Sequence, residues 1–364
     1  MPELVMPSVE TARLNAEEPA IIADGPLFVV GIWRSGTSLL YALLNQHPQI
    51  ALTYEDDLVF LRPLFWVRRK TSNWLTKWDF FNGAITRHKI DSSHIPENIH
   101  DLKGALEAVQ REYCEQKKGA TIWGGKSPTY FDLLSHLAGT FPNARFIIIW
   151  RDLTSICQSI AKAGEERTFF SRKGITLRAL LGYRKLKREC DWLLRHRFPV
   201  HQVHYEELVS EPTAVMKGVC DFLRIPFDSR MTILDGADRS AIDEAGHHSL
   251  VKSKEIHGFR RNSESLSPVM KAKIARYISL WREQENGGWP VYPVSLEGSV
   301  ETPSIPERAW DGIKYRILSV WYFIIPLTYS FVPLPVWESY RRLTNRSFSW
   351  QKKKTSPAES SLHR

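Results

Sequence analysis

Cysteine is scarce in this chain. Four residues (Cys114, Cys157, Cys190 and Cys220) are scattered through 364 and form no CxxC pair. That excludes a disulfide scaffold and points to buried thiols in a reducing compartment. No cluster of acidic and histidine side chains has metal-ligand spacing, so no metal is expected. The first residues, MPELVMPSVETARLNAEEPAIIADG, carry acids and lack an apolar h-region. A loose arm over 1–25, no signal peptide and a cytoplasmic setting are therefore the expectation. Internal repeats are absent too. A net charge of +9 makes anionic ligands welcome, yet it is spread without a dominant basic arm, which argues against nucleic acid as a partner.

Long apolar runs are also rare, with one exception. Ile317 to Trp337 (ILSVWYFIIPLTYSFVPLPVW) is uncharged and flanked by Arg316 and by Arg341-Arg342. Its length of about twenty residues would suit a membrane span. Pro326, Pro333 and Pro335 argue against one straight helix. Two readings stand: an interfacial element with Trp and Tyr at headgroup level, peripheral at the cytosolic face of a membrane, or an arm packed on the body or on a second copy in a homodimer. Beyond it, 351–364 is a polar tail with a disordered composition.

What the chain does have begins at Phe28. The apolar run from Phe28 reads as a buried strand, Trp33 to Ser38 (WRSGTS) as a tight polar loop, and Leu39, Leu40, Leu43 and Leu44 recur at helical spacing. A strand, loop and helix N-terminus make an anion cradle, because the first helical N–H groups lack partners and the dipole favours negative charge. Ser35, Thr37 and Ser38 add hydroxyls, and Arg34 adds charge. No lysine precedes Thr37 or Ser38, so this is not a Walker A loop.

Further strands are predicted at Ile50–Leu52, Thr121–Trp123, Ala144–Trp150 and Val200–His204, separated by helical patterns. Such alternation predicts an α/β fold: a P-loop-like central parallel sheet flanked by helices. The domain spans 26–295. Within it, 56–120 is a helical insertion rich in aromatics (Phe60, Phe65, Trp66, Trp74, Trp78, Phe80 and Phe81), and 296–364 forms a C-terminal extension. A basic amphipathic helix is expected near 176–197. Another opens at Ser210-Glu211-Pro212, with Ser210 as N-cap and Pro212 in the first turn.

Polar clusters fall at the carboxyl ends of these strands, where open α/β sheets bind ligands. They are Arg34–Ser38, Tyr54-Glu55-Asp56-Asp57, Gly124-Gly125-Lys126-Ser127-Pro128 and Arg151-Asp152 running into a helix with Ser155 and Ser159. In this order they resemble the sulfotransferases that use 3′-phosphoadenosine 5′-phosphosulfate (PAPS), in particular the branch of tyrosylprotein and bacterial enzymes. Arg34–Ser38 is similar to the family's 5′-phosphosulfate loop, and Arg151 with Ser159, eight residues on, to its 3′-phosphate motif. His47-Pro48, Tyr205-Glu206-Glu207-Leu208 and the helix with Cys220–Leu223 also fit the layout. The likeness covers about 26–290. Leu153 departs from it, since the family commonly has Pro after Arg-Asp. Lys252 and Lys254 are the candidates for its late phosphate-gripping segment.

The resemblance implies PAPS as donor, PAP as product and no metal. Arg34, Ser35, Gly36, Thr37, Ser38, Arg151, Ser159 and Tyr205 would bind the donor. Lys126 and Arg34 would stabilise charge at the breaking bond, and Glu55 would be the general base for an acceptor hydroxyl, ahead of an amine. Asp56 and the histidines His88, His94 and His100 are the alternatives to Glu55. The acceptor stays open among tyrosyl peptide, glycan, lipid and other small hydroxyl compounds. Rival readings are a P-loop type nucleotide-dependent kinase and a non-catalytic nucleotide-binding module docked at a membrane.

Overall fold

The computed structural model describes residues 25–56, 58–61, 79–96, 99–165, 169–171, 174–242, 251, 254, 256, 266–285 and 301–331. The N-terminal arm, Phe65, Trp66, Trp74, Trp78, Lys252, the end of the apolar run and the polar tail lie outside them.

Five parallel strands form one sheet: β1 (Leu27–Val30), β2 (Ile50–Tyr54), β3 (Ile122–Lys126), β4 (Arg145–Trp150) and β5 (Val200–His204). Their spatial order is β2-β3-β1-β4-β5, so β1 is central. Every residue of β1 and β4 is buried. Strands covered on both faces must be apolar throughout, which is why Phe28–Val30 and Phe146–Trp150 read so clearly.

Alternate side chains of β1 enter different cores. Phe28 and Val30 pack with helices α3 (Leu102–Gln116), α4 (Leu134–Thr140), α5 (Leu153–Glu165) and α6 (Ile175–Arg195). Leu27 and Val29 face α1 (Thr37–Leu44) and α8 (Pro212–Leu223). Between β2 and α3 lies α2 (Asp79–His88), the first described helix of the insertion. All four cysteines are buried free thiols.

Some boundaries differ from the expectation. Strand β3 runs to Lys126, past Gly124-Gly125. A Cβ on Gly124 would lie 2.0 Å from the Leu27 carbonyl oxygen, so these glycines serve close strand approach rather than a turn. Ser210 does not cap α8. It ends the short helix α7 (Tyr205–Ser210), its hydroxyl donates to the Glu207 carbonyl at 3.4 Å, and Glu211 takes the N-cap position without a side-chain hydrogen bond.

In the C-terminal extension the difference lies at Pro326. After α9 (Pro268–Gln284), one helix, α10, runs from Ile305 to Phe331 through Pro326. A proline removes one helical hydrogen bond, and here the helix continues past it. Among the described residues no helix is long and apolar enough to cross a membrane. The first turns of α10 dock on the body. Buried Asp311 accepts from Lys273 Nζ at 2.8 Å and from the Tyr277 hydroxyl at 3.0 Å, and Glu307 pairs with Arg276.

Candidate active site

The loop after β1 turns sharply into α1. Arg34 and Gly36 both have positive φ, 68° and 102°. Gly36 is the N-cap of α1, and no side chain caps the helix there. A Cβ at Gly36 would meet the Tyr205 ring at 2.3 Å. Glycine thus does two jobs: it adopts the left-handed turn and lets the ring lie against the loop. Uncapped N–H groups at the helix start, beside a buried Ser35 whose Oγ has no partner, are what an anion would satisfy.

Three residues from distant segments close on this loop. Arg34 Nε donates to Ser159 Oγ at 3.0 Å. Arg151 Nη1 donates to the Arg34 carbonyl at 2.8 Å, and its guanidinium stacks 4.1 Å over the Tyr205 ring. Local sequence explains the arrangement. Asp152 caps α5, accepting from the N–H and hydroxyl of Ser155 at 2.8 and 2.7 Å, and one helical turn later Ser159 is carried to Arg34. Asp152 is therefore a helix cap.

Across the sheet, β2 and β3 end together, with Tyr54 in register with Lys126. Lys126 is fully buried. Its Nζ lies 2.6 Å from Glu55 Oε1, 3.3 Å from Ser38 Oγ and 4.0 Å from the centre of the Tyr54 ring. The Tyr54 hydroxyl is 2.8 Å from Ser38 Oγ. Burial, reinforced by the Glu55 charge, pushes the Tyr54 phenol well above its ordinary range, so it stays a neutral hydroxyl. An ammonium held by carboxylate, hydroxyl and ring thus bridges the end of β2 and the start of α1.

The model of the Sulfotransferase family matches residues 26–229, more than half of the chain. The chain belongs to the sulfotransferase family. Curated relatives include protein-tyrosine sulfotransferase 1 of Danio rerio, 24% identical over 70% of this chain and 66% of that one, and a putative protein-tyrosine sulfotransferase of Caenorhabditis briggsae, 23% identical over 62% and 76%. A third, protein-tyrosine sulfotransferase A of Caenorhabditis elegans, is 24% identical, and the chain covers 60% of it. Two of these three are thus covered over less than two thirds of their length. Among solved structures, the sulfotransferase domain from the curacin biosynthetic pathway aligns over 70% of this chain and 97% of that one, at 18% identity and a TM-score of 0.47.

In this chain, all ten residues singled out from the motifs lie at the carboxyl ends of β1 to β5 or on the helices that follow them. The alternatives to Glu55 are engaged elsewhere. Asp56 is buried and accepts from Thr53 Oγ1 and Gln110 Nε2 at 2.8 Å each and from the Tyr130 hydroxyl at 3.0 Å. It ties β2 to α3. His88 Nε2 accepts the Tyr54 N–H at 3.0 Å, and burial lowers its pKa to about 3. His94 is paired with Glu112 at 2.9 Å. His100 lines a separate cleft of about 500 Å³ beside α3. Lys254 is exposed and pairs with Asp235 at 3.6 Å.

Two contributors have no role assigned by the sequence motifs. Tyr54 read only as the residue before Glu55; its place at the end of a β-branched and apolar strand was the available signal. Arg87, whose Nη1 donates to the carbonyls of Tyr54 and Glu55 at 2.9 and 2.7 Å, left no trace in any motif.

Proposed function

We propose that this chain transfers a sulfuryl group from PAPS to an acceptor hydroxyl. The observation that carries the reading is the Glu55–Lys126–Ser38 contact, which joins a carboxylate to the anion-cradling loop through a buried ammonium. Arg151 and Ser159 would hold the 3′-phosphate, with Tyr205 beside the nucleoside. Ser35, Gly36, Thr37 and Ser38 would hold the 5′-phosphosulfate through hydroxyls and helix N–H groups. When bound, PAPS supplies the sulfuryl group, whose bond to phosphate breaks as the acceptor oxygen attacks in line.

Glu55 takes the proton of the attacking hydroxyl. Lys126 and Arg34 supply fixed positive charge where negative charge grows on the leaving oxygen, so little reorganisation is needed. Those cations fill the role that Mg²⁺ has in kinases, and the chemistry is mostly positioning and charge. The relatives named for protein tyrosine sulfation put a tyrosyl hydroxyl first among acceptors. Incubation with labelled PAPS and a tyrosyl peptide, with PAP, ATP and GTP compared as stabilising ligands, tests the reading. Stabilisation by PAP with label on the peptide is expected; stabilisation by ATP or GTP alone would revive a kinase.

The outer face of α10 supports a second element, peripheral contact with an anionic lipid surface. Trp310, Ile313, Ile317 and Val320 are 57%, 48%, 62% and 54% exposed and recur at helical spacing. Both acids of this stretch, Glu307 and Asp311, turn inward to cations of α9, while Lys314 stands 5.2 Å over the Trp310 ring. The outward face is therefore apolar and basic, as binding to anionic headgroups requires. Co-sedimentation of the full chain with anionic vesicles is expected, and Ile317→Asp should weaken it at least tenfold. Equal binding of both proteins, or a dimer in solution that Ile317→Asp dissolves, would overturn this element.

A further inference from the structure

Glu55 follows directly on β2, yet its φ is 46°, in the left-handed region that a non-glycine residue avoids. Something must hold it there. From β3, the Lys126 carbonyl accepts the Glu55 N–H at 2.7 Å. From the last turn of α2, Arg87 Nη1 donates to the Tyr54 carbonyl at 2.9 Å and to the Glu55 carbonyl at 2.7 Å. Its neighbour His88 accepts the Tyr54 N–H at 3.0 Å.

The double contact from Arg87 is informative. Along an extended strand, successive carbonyls point in opposite directions. One nitrogen reaches both only if the chain kinks between them, and the left-handed turn at Glu55 is that kink. The guanidinium and the unusual dihedral therefore sustain each other. A permanently charged donor suits this task, since it keeps its hydrogen bonds at any working pH.

We propose that Arg87 is a positioning residue that aims Glu55 at the acceptor, so that the helical insertion carrying Arg87 controls where the base points. The inference rests on Glu55 acting as base. Its carboxylate, the atom group that takes the proton, is held by Lys126 of β3 at 2.6 Å, while Arg87 of the insertion fixes the carbonyls on either side of the turn that aims it. An alternative role for Arg87, direct contact with the acceptor, makes a different kinetic prediction.

The test compares Arg87→Met, Arg87→Lys, Glu55→Gln and the double variant Arg87→Met/Glu55→Gln, all measured for acceptor turnover and for PAP binding. Arg87→Met should lower kcat at least tenfold with acceptor KM and PAP affinity within twofold of the parent. Arg87→Lys, which keeps a charged donor, should recover most of that loss. The double variant should be no slower than Glu55→Gln alone, because an aimed base that is absent cannot be misaimed. Full kcat in Glu55→Gln would overturn the base and this inference with it. An inactive Glu55→Gln beside a fully active Arg87→Met would overturn the positioning role alone. A raised acceptor KM at unchanged kcat would make Arg87 an acceptor contact instead. Should Arg87→Met fail to fold, Arg87→Lys still decides: parent-like kcat, KM and melting support the donor role, and a loss of kcat in a folded Arg87→Lys would overturn it.

Discussion

The two halves of the site are built differently. On the side of β1, β4 and β5, each functional group sits in a short contiguous motif: Arg34–Ser38 in one loop, Arg151 and Ser159 on one strand–helix unit, Tyr205 at the start of α7. On the side of β2 and β3, Tyr54 and Glu55 are adjacent, but the groups they meet come from distant segments. Lys126 meets Tyr54 through sheet register, Glu55 is fixed by carbonyl contacts from two elements, and the nearest helix comes from an insertion. On the proposed reading the first half would grip a fixed ligand, and its parts are prefabricated by local sequence. The second half is assembled by tertiary packing, and that is where a variable acceptor would be read.

The comparison can be broken most strongly at the bridge between the halves. Lys126→Ala should reduce turnover by about 10²-fold or more, as loss of one preorganised charge-stabilising group does, while PAP binding measured by calorimetry changes little. Similar losses of both would show that Lys126 belongs to the grip. A smaller and opposite pattern is expected on the donor side. Arg151→Ala should weaken PAP by about 2 kcal/mol, since a charged hydrogen bond is lost, with the acceptor KM unmoved. Unchanged PAP affinity would remove Arg151 from the grip.

The weakest effect concerns His88, which holds the Tyr54 backbone. Its folded pKa, about 3, lies below the ordinary histidine value. Between these values the unfolded chain binds more protons than the folded one, so stability is intact above the unfolded pKa and falls as pH drops. Lowering pH from 7 to 5.5 should cost about 1 kcal/mol through this group alone. In denaturant titrations at both pH values, His88→Gln should lack that part of the loss. An unchanged pH dependence would mean that His88 titrates normally.

Legibility in the sequence follows the same division. β4 announced itself through five successive buried apolar residues after Arg145, and the loop after β1 through its hydroxyls and glycines. β3 was read three residues short because Gly124-Gly125 resembles a turn. Only the neighbouring strand reveals that a side chain at Gly124 would collide with Leu27. Lys126 and Glu55 could be named from their place in the ordered motifs, yet their mutual contact spans 71 residues and depends on the sheet order. Arg87 carries no local signature at all, and Tyr54 shows only as a strand end: their roles arise from where a helix end meets that strand end. Ser210 shows the reverse error, a good capping residue placed one position early, where a short helix ends and the next begins.

The central position of β1 has an implication for redesign. Donor-side segments lie with β1 and on its β4 flank, while the carboxylate and its insertion lie beyond β3 on the other flank. A graft that exchanges the insertion between relatives would leave the donor-side strand pairs intact, provided the transplanted segment keeps the α3 side chains that pack with Phe28 and Val30 and brings its own clamp for the Tyr54–Glu55 turn. On the proposed roles, cassettes chosen by acceptor contacts alone would keep the nucleotide grip and lose the aim of Glu55.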